Sequence, residues 1–189
     1  MASFVIHHIA GEAFLNNLER EGVLLSDVAK KQFLLGNLIV DSSRIKKQIP
    51  DNLSIEEQKA FKKKMRAETQ EEKRSTHFRD KEDYKLCIQA PNVSSFIEKY
   101  QDFVSKDYTA LGYLYHLYVD KMFFHDLFND TFECLDKDGI ETKYIADLVS
   151  MRVKKSGEVY PVGEFWSHDS NVSIYHDYTV MNKLLLEQY

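Results

Sequence analysis

YLYHLYVDKMFFHDLF, residues 113–128, is the stretch on which the reading of this chain turns. Apolar residues surround its His116 and Asp120 in every direction: Leu111, Leu114, Leu117, Val119, Met122, Phe123 and Leu127. A helix apolar all round is a buried helix, and the pattern predicts one from about Tyr108 to Phe128. His116 and Asp120 then lie one turn apart, about 40° from each other on one face. Burying a carboxylate or an imidazole costs on the order of several kcal/mol unless something pairs with it. Two readings follow. The pair is a mutually satisfied core contact, or both side chains are ligands of a divalent ion, for which imidazole and carboxylate suit zinc or another transition metal. His125 lies about 180° from His116 and joins the same site only if the helix bends or ends first. Gly112, one turn before His116, leaves room for another backbone or a ligand to come close.

Outward from this helix, nearly every segment also reads as helical. HHIAGEAFLNNLERE (7–21) gathers Ile9, Phe14, Leu15 and Leu18 on one side and ends near Gly22. SDVAKKQFLLGNLIV (26–40) follows Ser26 as N-cap, and Asp41 stands just past its apolar run. Residues 44–75 are densely charged, with a capping box at Ser54 and Glu57. They are expected to form an exposed excursion with a solvated face, since they cannot bury a core of their own. NVSSFIEKYQDFVS (92–105) offers a second capping box, Ser95 with Glu98. GIETKYIADLVSMRVKKSG (139–157) predicts another amphipathic helix through Ile140, Tyr144, Ile145, Leu148 and Met151, ending near Gly157. EVYPVGEFWSHDSN (158–171) reads as an irregular crossing and residues 172–189 as a final helix. The expected fold is all-α, a single helical domain over residues 1–189.

Composition sets the outer limits. With 189 residues, of which 43% are hydrophobic, the chain can build one real core. Seven Gly and three Pro argue against a turn-rich all-β fold. A net charge of −5 disfavours nucleic acid and anionic membrane as partners of the whole chain. Cys87 and Cys134 have no zinc-ribbon or redox spacing and are expected to be free thiols in a reducing compartment. The start lacks a basic n-region, and no run approaches the roughly 20 apolar residues of a membrane-spanning helix, so a cytoplasmic protein is expected.

Further candidate ligands stand at element ends: His8, Asp41, and His77 in STHF. The order HHIAGEAFL, FLLGNLIVDSS, STHFRD, ALGYLYHLYVDKMFFHDLF resembles the zinc-dependent phospholipase C family. In that family an early His, a G-N-x-x-x-D segment, an H-F dipeptide and a central G-Y-x-x-H-x-x-x-D helix follow one another. The closing YHDYTVMNKLL is similar to the end of small bacterial members. The resemblance implies an all-α bundle with a metal cleft between helices. It implies one site of Asp41, His77, His116 and Asp120, with Asp120 bridging to a second metal that also uses His8. One or two Zn2+ ions are expected. His125 looks like the family's following histidine but is one residue out of step. The secreted enzymes' N-terminal Trp has no counterpart, the only Trp being Trp166. No downstream His is followed by Glu one turn later, so a third ion is not implied; His168, Asp169, His176 or Asp177 would have to substitute, with Asp177 placed by the last helix.

The activity implied is metal-dependent hydrolysis of a phosphodiester or phosphomonoester, with Asp41 as ligand and as the group that orients or deprotonates water. The substrate would be a small phosphoester or a phospholipid head group. Single-strand-specific zinc nucleases share the broad fold, but nucleic acid is disfavoured by charge. The competing reading is a non-enzymatic helical protein with a structural or vestigial metal site. Oligomeric state is left open.

Overall fold

Two helices approach as closely as the residues on their facing sides permit, and glycine permits most. A computed structural model describes residues 4–41, 49, 50, 52–167 and 169–188. In chain order its long helices are α1 (Phe4–Arg20), α2 (Asp27–Ile39), α3 (Ile55–Thr76), α4 (Val93–Val104) and α5 (Tyr108–Met122). At the centre, α2 crosses α5 with glycine on both faces. A Cβ on Gly36 would meet the Thr109 carbonyl oxygen at 2.0 Å, and one on Gly112 would meet the Phe33 carbonyl oxygen at 2.0 Å. Helix α1 lies on the same pair. Phe33 is wholly buried there, with its ring 5.3 Å from Phe14 and 5.5 Å from Tyr115. Helix α4 packs on the other flank of α5 through Phe96, which stacks on Tyr113 at 5.0 Å.

The charged segment forms α3, with the expected capping box: Ser54 Oγ accepts from the Glu57 amide and Glu57 accepts from the Ser54 amide. Residues 44–48 and 51 of the excursion lie outside the described residues. Most of α3 is exposed, yet its C-terminus is built into the fold. The Tyr113 hydroxyl donates to the Thr76 carbonyl at 2.6 Å. The helix closes in a Schellman motif: the Arg79 amide donates to Arg74 and the Phe78 amide to Ser75. The left-handed position usually given to glycine is held by Phe78, with φ of 53°. That conformation costs an L side chain about 1–2 kcal/mol. Its ring lies edge-on to Phe96, Tyr100 and Tyr113, which offsets the strain through packing.

Beyond α5 the helix widens into a π-helical stretch, Phe123–Phe128, and ends in one turn, α6 (Asn129–Thr131). The chain then departs from the all-α expectation. Strands β1 (Phe132–Leu135), β2 (Ser150–Val153) and β3 (Val159–Pro161) form an antiparallel sheet in that order, with Cys134 opposite Met151 and Met151 opposite Tyr160. The amphipathic helix expected over residues 139–157 is therefore absent. Ile140, Tyr144 and Ile145 are exposed, and of that apolar series Met151 alone is fully buried. The turn chemistry explains the difference. Asp136 Oδ1 accepts from the amides of Asp138 and Ile140, and Gly139 follows with φ of 76°. Gly157, also at φ of 76°, closes the β2–β3 hairpin.

The supposed irregular crossing contains β3 and a short helix, α7 (Val162–Phe165). Phe128, Cys134, Met151, Phe165 and Ile174 make a second core cluster beneath the sheet. The last helix, α8 (Ile174–Gln188), lies where expected and touches α1. On α4 the cap is Asn92, whose side chain accepts from the Ser95 amide, and not the Ser95–Glu98 box. The molecule is thus predominantly helical with a small sheet. No helix among the described residues is long and apolar enough to cross a membrane.

Candidate metal centre

Four elements converge beside the α2–α5 crossing. Helix α5 contributes His116 and Asp120, both with no solvent exposure. The cap of α3 contributes His77, equally buried, and the end of α2 contributes Asp41, whose side chain keeps 15% exposure. From α1 comes His7, 1% exposed, not the expected His8. Of the two adjacent histidines only His7 falls within a group of ligand atoms close enough to share an ion. His7 is also fixed in place: Asn37 Nδ2 donates to its carbonyl, and Gly11, one turn on, leaves space for Asn37. His8 is half-buried beside the cluster.

The orientation of the imidazoles is set by backbone carbonyls. His116 Nδ1 lies 2.7 Å from the Asn37 carbonyl, and His77 Nδ1 lies 2.7 Å from the Lys73 carbonyl. A carbonyl only accepts, so each Nδ1 carries the hydrogen and a neutral ring presents its Nε2 lone pair inward. These two Nε2 atoms face each other at 3.4 Å. His77 Nε2 is 3.3 Å from Asp120 Oδ2 and 3.6 Å from Asp41 Oδ1; His116 Nε2 is 3.9 Å from Asp120 Oδ2. On its other oxygen, Asp120 Oδ1 lies 3.3 Å from His7 Nε2. The His7 ring stacks on His116 with centroids 3.7 Å apart.

Lone pairs and carboxylate oxygens pointed at one another repel unless positive charge lies among them. Bonds of about 2.0–2.1 Å from a tetrahedral divalent ion to nitrogen or oxygen give ligand–ligand edges of about 3.3–3.4 Å. The His77–Asp120 and His77–His116 separations match that edge, and the donor set of three imidazoles and two carboxylates suits zinc. His7 Nε2 and Asp41 Oδ1 are buried without a hydrogen-bond partner among the described residues, as are His8 Nδ1 and Asn37 Oδ1 beside them. The ligand atoms fall into two overlapping groups, His77–His116–Asp120 and His7–Asp41–His116, each close enough to share an ion, so the residues present fit one or two ions with His116 common to both groups.

The electrostatics agree with that geometry. Burial first, then His7, pushes the His116 pKa down to about 4, against the pull of Asp120 and Asp41. Burial alone would raise Asp120; the His7 and His77 imidazoles beside it outweigh that, and its pKa lies well below the ordinary carboxylate value. Burial and the charge of Asp120 push Tyr178 up.

The remaining sequence candidates do not join. His125 is exposed despite the π-helical turn that carries it, because the widened turn leaves it on the outer face. His176 and Asp177 are exposed on α8, and Tyr178 is the α8 residue that feels Asp120. Asp169 is exposed, and His168 lies outside the described residues.

Three contributors were not singled out from sequence. Asn37 is a buried polar residue in an apolar run, and that is the signal that marks it. Lys73 Nζ is 3.9 Å from Asp41 Oδ1 and was hidden among the charges of the excursion, and Arg79 is the residue that follows the Phe78 cap. Compared with protein-family models, with curated proteins and with solved structures, the chain matches none.

Proposed function

We propose that this protein is a metal-dependent hydrolase of phosphate esters that holds one or two zinc ions in the His7–Asp41–His77–His116–Asp120 cluster. The observation that carries the reading is the convergence of His77 Nε2, His116 Nε2 and Asp120 Oδ2, with the two separations from His77 at 3.3–3.4 Å and that between His116 and Asp120 at 3.9 Å, and both rings locked through Nδ1 to carbonyls. The ordered motifs that resemble zinc-dependent phospholipase C, and the predominantly helical fold, support the same class. A divalent ion in such a site supplies Lewis acidity toward phosphoryl oxygen and acidifies water near it. His77 and His116 bind as neutral ligands. Asp120 balances charge for both halves of the cluster. Asp41, the one member with an accessible edge, orients the attacking water and takes up its proton, while Lys73 fixes the carboxylate.

One observation favours a second reading. His7, His77, His116 and Asp120 are all closed off from solvent. Structural metal sites are closed, whereas catalytic sites keep an open position. A non-enzymatic protein with a structural ion accounts for that closure. A turnover screen of the zinc-loaded chain over phosphomonoesters, phosphodiesters and phosphatidylcholine separates the two. The hydrolase reading expects turnover that chelation abolishes and that Asp41→Asn lowers by roughly 100-fold or more per bound zinc. Absence of turnover over that panel in zinc-loaded protein supports the structural ion.

A further inference from the structure

The chain's two cysteines are far apart in sequence and meet in the fold. Cys134 lies in β1, buried in the core cluster beneath the sheet. Cys87, half-buried ahead of α4, packs against that cluster. One short segment fixes both. The Thr142 amide donates to the Cys134 carbonyl at 2.8 Å, and the Cys87 amide donates to the Lys143 carbonyl at 2.8 Å. Antiparallel bridges at Leu135–Glu141 and Leu86–Tyr144 continue this pairing on either side. Cys87 Sγ lies 3.9 Å from the Thr142 carbonyl. Both cysteines line the same two cavities, of about 320 and 360 Å³, each roomy enough for a molecule little larger than water. Both are free thiols, and neither belongs to the metal cluster.

We propose that Cys87 is a site of oxidation by peroxide and that Cys134 resolves it into a reversible internal disulfide, which braces the fold. The Cys87 thiolate attacks one oxygen of hydrogen peroxide and the O–O bond breaks. The departing hydroxide takes up the proton that Cys87 released, leaving a sulfenic acid and water. The Cys134 sulfur then attacks the Cys87 sulfur, the S–O bond breaks, and hydroxide leaves as water with the Cys134 proton. The two sulfurs together lose two electrons and the peroxide gains them. Exposure gives the order of events, since Cys87 is the sulfur that a reagent reaches first. The thiol contact agrees. Burial raises both thiols, Cys134 to about 12, and the hydrogen bond between them lowers Cys87 while raising Cys134. The new bond closes residues 87–134 into one covalent loop that holds α4 and α5, and with α5 the residues His116 and Asp120. Because neither sulfur is a ligand of the metal cluster, the cross-link is independent of whether an ion is bound.

The test treats the folded full chain with hydrogen peroxide at about pH 8.5, which raises the thiolate fraction. Intact mass, thiol titration after denaturation, and peptide mapping are the readouts. The wild type is expected to lose two hydrogens and both free thiols, and to yield one peptide linking Cys87 to Cys134. Dithiothreitol should reverse all three changes. The thermal midpoint of the oxidised chain is expected to rise by roughly 5–15 °C, the scale of one cross-link in a chain of this length. In Cys134→Ala the sulfenic acid at Cys87 should persist and be trapped by dimedone. Should that variant not fold, Cys87→Ser is read in its place, and its Cys134 should stay reduced. The inference is overturned if oxygen adds to Cys87 while Cys134 remains a free thiol, or if both thiols survive the treatment. A disulfide that joins two chains overturns it as well, as does an internal one that leaves the midpoint unchanged or lower. Oxidation of Cys134 in folded Cys87→Ser would contradict the order of attack and overturn it too.

Discussion

A buried imidazole that stays neutral couples folding to pH. His116 is held down to about 4 by its burial and by His7, whereas an exposed histidine titrates near about 6.5. Between those values the unfolded metal-free chain carries a proton on this residue that the folded chain lacks. Stability is therefore full above the upper value and is lost as pH falls toward the lower one. Asp120 has the same sign, but its pKa is lowered from an ordinary carboxylate value, so its contribution is lost only at more acid pH. For His116 the expected slope is about 1.4 kcal/mol per pH unit across the window. Urea denaturation of the metal-free chain at about pH 7, 6 and 5 measures it, and His116→Asn should flatten it. A flat wild-type profile would show that the imidazole is not buried neutral. The same residue-scale chemistry shows what the sequence leaves undecided. Neighbours on a helix point about 100° apart, so the pair His7–His8 offers either as ligand. The choice is made by the contact of Asn37 with the His7 carbonyl and Gly11, and no local pattern encodes it.

Among the elements, the α2–α5 crossing fixes the site. Gly36 and Gly112 let the backbones meet, and that approach places the Asn37 carbonyl on His116 Nδ1. Gly112→Ala puts a methyl group against the Phe33 carbonyl. It should destabilise the fold by roughly 1–3 kcal/mol or more, measured as a lower urea midpoint, and should weaken metal binding as well. Wild-type stability in Gly112→Ala would refute the backbone contact. Helices with strong end signals were legible: Ser26 and the Ser54–Glu57 box start α2 and α3 as their residue types dictate. The region 132–161 was not. Its apolar residues fall by chance at helical spacing, while the turn at Asp136–Gly139 and the hairpin at Gly157 break the chain into strands only three or four residues long. So short a strand offers little alternation to read. The Phe78 cap was equally opaque, because a phenylalanine in the left-handed region is justified only by the aromatic cluster that receives it.

At the scale of the whole molecule, the exposed excursion and the buried centre are one construction. Helix α3 is largely solvated along its length, yet its last turn and cap bring His77 and Lys73 to the centre. Reading a charge run as a solvated face describes most of α3 and misses its end, since the sequence does not announce where a charged helix re-enters a core. Asp41, His77, His116 and Asp120 were legible because each is a chemistry-bearing residue at the edge or centre of a strong apolar pattern, and the fold brings all four together. Whether they hold an ion is decided by metal content, measured by mass spectrometry on protein purified without a metal-affinity tag. One or two zinc ions per chain are expected in the wild type and in His8→Ala, a loss of about half or more in His7→Ala, and none in His116→Ala with Asp120→Ala. Substoichiometric metal in the wild type, unchanged in the double variant, would contradict the metal centre and leave His116 and Asp120 as a buried core pair.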